Sequence, residues 1–205
     1  MIEASDSMHI SLHSESILSE EKQWSIFCSS VSQYPIVTVK TRESLLESLI
    51  PHYDCRDDRT AIILYSFGYE ATARMAGSLC KNSTLLEIGN IDRAIIGDSR
   101  HAANLGDQMA SEIFADSMKF RKLDVFIIGA SNIFLSDRKG LNMRFTEQFW
   151  NSFISAINAI NNDSRLIMFS KRGNTEVEKL LTSLSNAVVS VDIVNDSLDF
   201  QITSL

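Results

Sequence analysis

Arginine, serine, asparagine and glycine recur in this chain where apolar runs give way to polar ones, and those junctions are where its chemistry would lie. The stretch "IIGDSRHAANLGDQMA" carries Gly97, Asp98 and Ser99, then Arg100, Asn104 and Gly106. An arginine at a strand end beside a helix N-terminus holds a phosphate by a bidentate pair supplemented by backbone N–H donors. Arg100, Asn104 and Gly106 are therefore expected to bind a phosphorylated sugar or nucleotide. A second junction, "DVFIIGASNIFLSDRKGLNMRFTEQF", runs from a buried strand through Gly129 and Ser131 into a polar loop ending near Asn142. Strand ends that open into such loops are where α/β domains place ligands.

Positioning these residues requires a sheet. From about residue 60, short apolar runs alternate with helical patterns: "TAIILYS" (60–66), "RAIIGDS" (93–99), "LDVFIIGAS" (123–131), "SRLIMFS" (164–170) and "AVVSVDIV" (187–194). Runs rich in Ile, Val, Leu and Phe on both parities mark strands buried on both faces, and the segments between them are long enough for crossover helices. The expected fold is α/β, a doubly wound, mostly parallel, Rossmann-like sheet with right-handed crossovers. Helices are expected at "GYEATARMAGSLCK", "AANLGDQMASEIF", "FTEQFWNSFISAINAI" and "NTEVEKLLTSLS", the last capped by Asn174 or Thr175. Phe145, Phe149, Phe153, Ile154 and Ile157 follow helical spacing and are expected to face the sheet. Before residue 60, "SEEKQWSIFCSSVSQ" and "RESLLESLIPHY" read as helical with "YPIVTVK" a short strand between them. Residues 1–58 are thus expected to form an N-terminal extension and residues 59–205 the Rossmann-like domain.

Composition limits the function classes. The chain has 205 residues, a formal net charge of −7 and no Lys/Arg stripe, which argues against a direct nucleic-acid surface, because phosphate neutralisation supplies most of that affinity. No apolar run approaches the roughly 20 residues of a membrane span, and the N-terminus lacks signal-peptide character, so a cytoplasmic protein is expected. Cys28, Cys55 and Cys80 are odd in number and lack metal-ligand spacing; no metal or cofactor is expected.

Two local enzyme readings are weak. Gly97-Asp98-Ser99 is the tripeptide that opens SGNH esterases, yet His9, His13, His52 and His101 all lie outside the C-terminal third where that family carries its base. "FSKRGNTEVEKLL" is similar to the strand-to-helix turn of sugar isomerase (SIS) domains, but any capped helix after a strand would produce the same letters. There is no G-x-G-x-x-G and no G-K-[ST], so dinucleotide and P-loop readings have no support.

Taken together and in order, the strand ends resemble a family. "AIILYSFGYEATARMA", "AIIGDSRHAANLGDQMA", the stretch from Asp124 through Thr146 and "VVSVDIVNDSLDFQITSL" are similar in sequence and spacing to the C-terminal Rossmann-like domain of the translation initiation factor 2B alpha/beta/delta subunit family. The matches run through Ser99, Arg100, Gly106, Met109 and Ala110, then Gly129, Ala130, Ile133, Asn142 and Thr146, then Asp192, Leu198 and Thr203. That family includes isomerases of ribose 1,5-bisphosphate and methylthioribose 1-phosphate. The resemblance implies a regulatory or interaction subunit of a guanine-nucleotide exchange assembly in translation initiation, with protein partners or a homo-oligomer.

The family's isomerases carry a cysteine after the first strand, the aspartate of G-A-D and a lysine after an asparagine. The matching positions here are Ser66 (or its neighbour Phe67), Ser131 and Met143. A serine hydroxyl stays protonated near neutral pH and methionine has no proton to give. Positioned acid/base groups contribute on the order of 10² to 10⁴ in rate each, so a non-catalytic subunit is expected. The alternative is an aldose-ketose isomerase with a rearranged site, in which Asp98, Asp116 or Asp137 supplies the base.

Overall fold

Apolar runs buried on both faces build one sheet. The computed structural model describes residues 7–11, 26, 29–42, 60–66, 68–79, 83–87, 103–108, 110–111, 123–132, 143–160, 164–173, 175–194 and 197–205. Among the described residues eight strands, β1 (Ser7–Ser11), β2 (Ile36–Thr41), β3 (Thr60–Tyr65), β4 (Ser83–Glu87), β5 (Leu123–Ile128), β6 (Arg165–Lys171), β7 (Ala187–Val194) and β8 (Ser197–Ser204), lie in the order β1-β8-β7-β2-β6-β5-β3-β4. The six from β7 to β4 are parallel, and β8 is antiparallel to both neighbours. The mostly parallel α/β sheet expected from the apolar runs is therefore present.

Helices cover both faces. α1 (Glu70–Leu79) follows β3, α2 (Met143–Ile160) follows β5 and α3 (Glu176–Ser183) follows β6; residues 103–108 and 110–111 are also helical. Ala61 and Ile63 of β3 pack with Tyr69, Ala73 and Ala76 beside α1, whereas Ile62 and Leu64 pack with Phe149, Phe153 and Ile157 of α2. Successive residues of a strand point to opposite faces, so α1 lies on one face and α2 and α3 on the other. Right-handed crossovers give this division, since the chain steps one way from β3 to β4 and the other way from β5 to β6 and β7. The α2 stripe forms as its spacing predicts, with Phe149, Phe153, Ile154 and Ile157 buried, and Trp150 joins it fully buried, edge-on to both phenylalanines. The side chain of Phe145 lies outside the described residues. Burying side chains of this kind contributes about 1.5–3 kcal/mol each.

Two features differ from the expectation. The strand in "YPIVTVK" is not peripheral: β2 lies between β6 and β7, so the sheet runs across the boundary placed at residue 58. Val37 and Val39 are fully buried, and the buried Thr38 hydroxyl lies 2.7 Å from Ser185 Oγ and donates to Leu181 O at 3.3 Å. These partners are more than 140 residues away in sequence, beyond the reach of any local pattern. Beside β3 stands β4, from "STLLE"; the strand expected at 93–99 lies outside the described residues.

α3 shows how its start is specified. Thr175 Oγ1 accepts the N–H of Glu178 at 3.1 Å, and the Glu178 carboxylate accepts the N–H of Gly173 at 2.9 Å. Thr175 satisfies a donor that the helix start leaves unpaired, and Glu178 satisfies one in the turn before it. Thr175→Ala should lower stability by about 1 kcal/mol, seen as a lower urea midpoint with unchanged slope. Among the described residues no helix is long and apolar enough to cross a membrane.

Candidate functional site

β3 and β5 are neighbours whose chains leave in opposite directions, to helices on opposite faces, so their carboxyl ends define the switch point at which open α/β sheets hold ligands. β3 ends in Ser66, Gly68 and Tyr69, and β5 in Gly129 and a 3-10 turn, Ala130–Asn132. The Ser66 N–H donates to Ile128 O at 3.1 Å and its hydroxyl to Gly129 O at 3.2 Å, while the Gly129 N–H donates to Phe169 O at 3.1 Å. Gly129 has φ +74°, a left-handed conformation that glycine adopts without steric cost. A Cβ there would lie 2.3 Å from Ser66 Oγ and 2.5 Å from the Tyr69 ring. Tyr69 and Ser131 are both buried.

The space that a side chain at Gly129 would take is thus occupied by the Ser66 hydroxyl and the Tyr69 ring. Among the described residues, those between each strand end and the following helix carry no carboxylate, imidazole, thiol or amine. Glu70, the first residue of α1, is exposed and pairs with Arg74 at 2.6 Å. A serine hydroxyl stays protonated at neutral pH unless a base takes its proton.

The structure brings together two of the three positions matched to the isomerases, Ser66 and Ser131, on adjacent strand ends. Met143 begins α2 and packs half-buried on the aromatic cluster. Of the expected ligand residues, Gly129 lies at the switch point, while Asn104 is exposed on the 103–108 helical stretch. Gly106 lies against the middle of α2, where a Cβ would be 2.6 Å from Phe149 O and 3.0 Å from Phe153 N. Its role there is close helix packing. Gly106→Ala should cost about 1–3 kcal/mol in chemical denaturation even though alanine is the better helix former by about 1 kcal/mol, because the obstruction is backbone. Arg100 and Asn142, with Phe67, Asp98, Asp116, Asp137 and the three cysteines, lie outside the described residues. Among the described residues no His/Cys/Asp/Glu group could hold a metal ion.

The turn after β6, likened above to a sugar-phosphate loop, already contains an anion. Glu178 takes the Gly173 N–H and the Lys40 ammonium, the latter at 3.3 Å, and Glu176 adds a second negative charge at the helix start. A phosphate would have to displace a buried carboxylate. Beside it, Asp192 of β7 accepts Arg172 at 2.6 Å and pairs with Arg42 at 3.1 Å, tying the ends of β2, β6 and β7. Sequence reasoning missed Tyr69 at the switch point. Its signal is the aromatic directly after Gly68, and what it fills depends on Gly129, sixty residues on.

These features define an α/β doubly wound protein in which Ser66 and Tyr69 pack against Gly129 at the switch point. No family model matches the chain and no curated protein matches it. Among solved structures, it is similar to a Pyrococcus horikoshii protein with TM-score 0.55 and 14% identity, over 85% of this chain and 89% of that one. An uncharacterized Pyrococcus horikoshii protein, crystallised with an unknown peptide, gives TM-score 0.49 and 10% identity over 83% of each chain. An ATPase of the type III secretion system of pathogenic bacteria gives 0.43 and 10%, over 77% of this chain and 51% of that one. The likeness to the first is one of fold.

Proposed function

We propose that this chain is a non-catalytic interaction subunit, acting in the cytoplasm and resembling the regulatory subunits of initiation factor 2B in a guanine-nucleotide exchange assembly. The observation that carries the non-catalytic part is the packing at the switch point: Ser66 donates its hydroxyl to Gly129 O, and the Tyr69 ring lies against Gly129. The ordered match of strand ends supplies the partner class. Contacts with the partner run through helix faces and residues 129–142.

The test is purification of the tagged full-length chain from its native cell at low salt, with every co-eluting chain identified. Translation-factor subunits in stoichiometric amount are expected. A lone homo-oligomer that turns over a phosphorylated sugar would overturn the proposal in favour of a rearranged isomerase. Binding of a phosphorylated sugar or nucleotide through Arg100 is the ligand part of the proposal. Thermal shifts with phosphorylated ligands should be larger for the wild type than for Arg100→Ala, and equal shifts would remove that part.

A further inference from the structure

β5 is buried along its whole length, and β6 is buried from Arg165 to Ser170. In a half-exposed strand the alternation of apolar and polar side chains fixes the register, because a slip of one residue turns the apolar row toward water. That signal is absent here. Val125, Phe126, Ile127 and Ile128 stand beside Leu166, Ile167, Met168 and Phe169, so a slip of one residue still sets apolar against apolar on both faces. The backbone ladder does not discriminate either, since its donors and acceptors repeat evenly along parallel strands. One pair breaks the uniformity. Among the described residues of the sheet, Asp124 and Arg165 are the buried charged side chains, and the register sets them opposite each other at the strand starts. Arg165 donates to both carboxylate oxygens of Asp124, from Nε to Oδ1 and from Nη2 to Oδ2. A slip of one residue moves the partner by roughly 3.3 Å and onto the other face, which breaks this fork. The residues flanking the pair, Ala61 of β3 opposite Asp124 and Ile36 of β2 opposite Leu166, carry no charge.

We propose that Asp124 and Arg165 act as a register lock, which selects β6 as the neighbour of β5 and fixes the alignment of two strands whose apolar faces accept others. The lock works by penalising the alternatives. A misaligned sheet buries two charges apart from each other, whereas the aligned one pairs them, so the pair widens the gap between the native arrangement and its competitors. Through β5 it also fixes where the opposite end of the strand arrives, at the level where the Gly129 N–H meets Phe169 O and the Ser66 hydroxyl meets Gly129 O. The inference concerns how the switch point is positioned and does not rest on the interaction-subunit reading.

The experiment compares amide NMR spectra of the isotope-labelled full chain in three forms: wild type, Asp124→Leu with Arg165→Met, and the charge swap Asp124→Arg with Arg165→Asp. The wild type should give one signal per residue in β5 and β6, with interstrand contacts that place Phe126 beside Ile167. The apolar variant should still unfold cooperatively in urea yet give more than one signal per residue in these strands, or a single set in a shifted alignment. One set in the wild-type alignment would overturn the proposal, because the apolar side chains would then specify the register unaided. The swap restores a charge pair without the original residues and should return a single set in the wild-type alignment. A swap as heterogeneous as the apolar variant would also overturn the lock. If the apolar variant does not fold, the swap alone decides: a single wild-type alignment supports the lock, and a swap that fails to fold or gives mixed alignments overturns it.

Discussion

Asp124→Ala should destabilise the protein by about 3–5 kcal/mol, the largest effect expected of any single truncation described above. Asp124 and Arg165 face each other at the starts of β5 and β6. Arg165 donates from Nε to Oδ1 at 2.8 Å and from Nη2 to Oδ2 at 2.5 Å, and the two side chains are 2% and 10% exposed. A fork of this kind offsets much of the cost of taking both charges out of water. Removing the carboxylate leaves a guanidinium in a setting that cannot solvate it, and that uncompensated charge, more than the lost attraction, sets the magnitude. In a domain of ordinary stability, about 5–15 kcal/mol, the change is plain in the urea midpoint. Arg165→Met should cost a similar amount. The double change Asp124→Leu with Arg165→Met should recover most of the loss, because apolar pairs of similar volume replace buried ion pairs at little cost. A loss below about 1 kcal/mol for Asp124→Ala alone would mean that water reaches the pair.

That pair illustrates what can be read along the chain and what cannot. "LDVFIIGAS" and "SRLIMFS" announce β5 and β6 by their apolar runs, yet each opens with a charge that belongs, by sequence alone, to a solvated strand end. Only the parallel register, which sets Asp124 against Arg165, shows that the two charges are buried together. β7 and the helices α1, α2 and α3 were legible for the same reason as β5: apolar spacing and caps are local signals. β2 was legible as a strand and not as a central one, since its neighbours β6 and β7 come from the far end of the chain. β4 is a short sheet-edge strand with Thr84 and Leu86 exposed, and it offers little periodicity to read. At the candidate site, Gly129 and Ser131 stood out as a strand-end turn and Ser66 as a matched position. That Ser66 and Tyr69 fill the turn is a tertiary fact, produced when β3 and β5 pair side by side.

Gly129→Ala is the substitution that bears most directly on function, and it should cost about 3 kcal/mol. Part of this is the left-handed φ of +74°, worth about 1–2 kcal/mol for a residue with a Cβ. The remainder is crowding. The new methyl would sit 2.3 Å from Ser66 Oγ and 2.5 Å from the Tyr69 ring, so the hydroxyl must rotate and lose its bond to Gly129 O, worth about 1 kcal/mol. The ring, 7% exposed, has to shift within packed surroundings. Tyr69→Ala would be costly alone but would remove the ring's share of the obstruction, so Gly129→Ala in that background should cost only the backbone and Ser66 shares, a departure from additivity of up to about 1 kcal/mol. The cycle separates a filled switch point from an open one. If Gly129→Ala cost the same in both backgrounds, Tyr69 would not crowd Gly129, a ligand could enter beside Ser66 and Ser131, and the non-catalytic proposal would lose the observation on which it stands. A large and Tyr69-dependent cost means that the fold spends its ligand-binding crevice on its own packing and leaves helix faces and sheet edges for its partners.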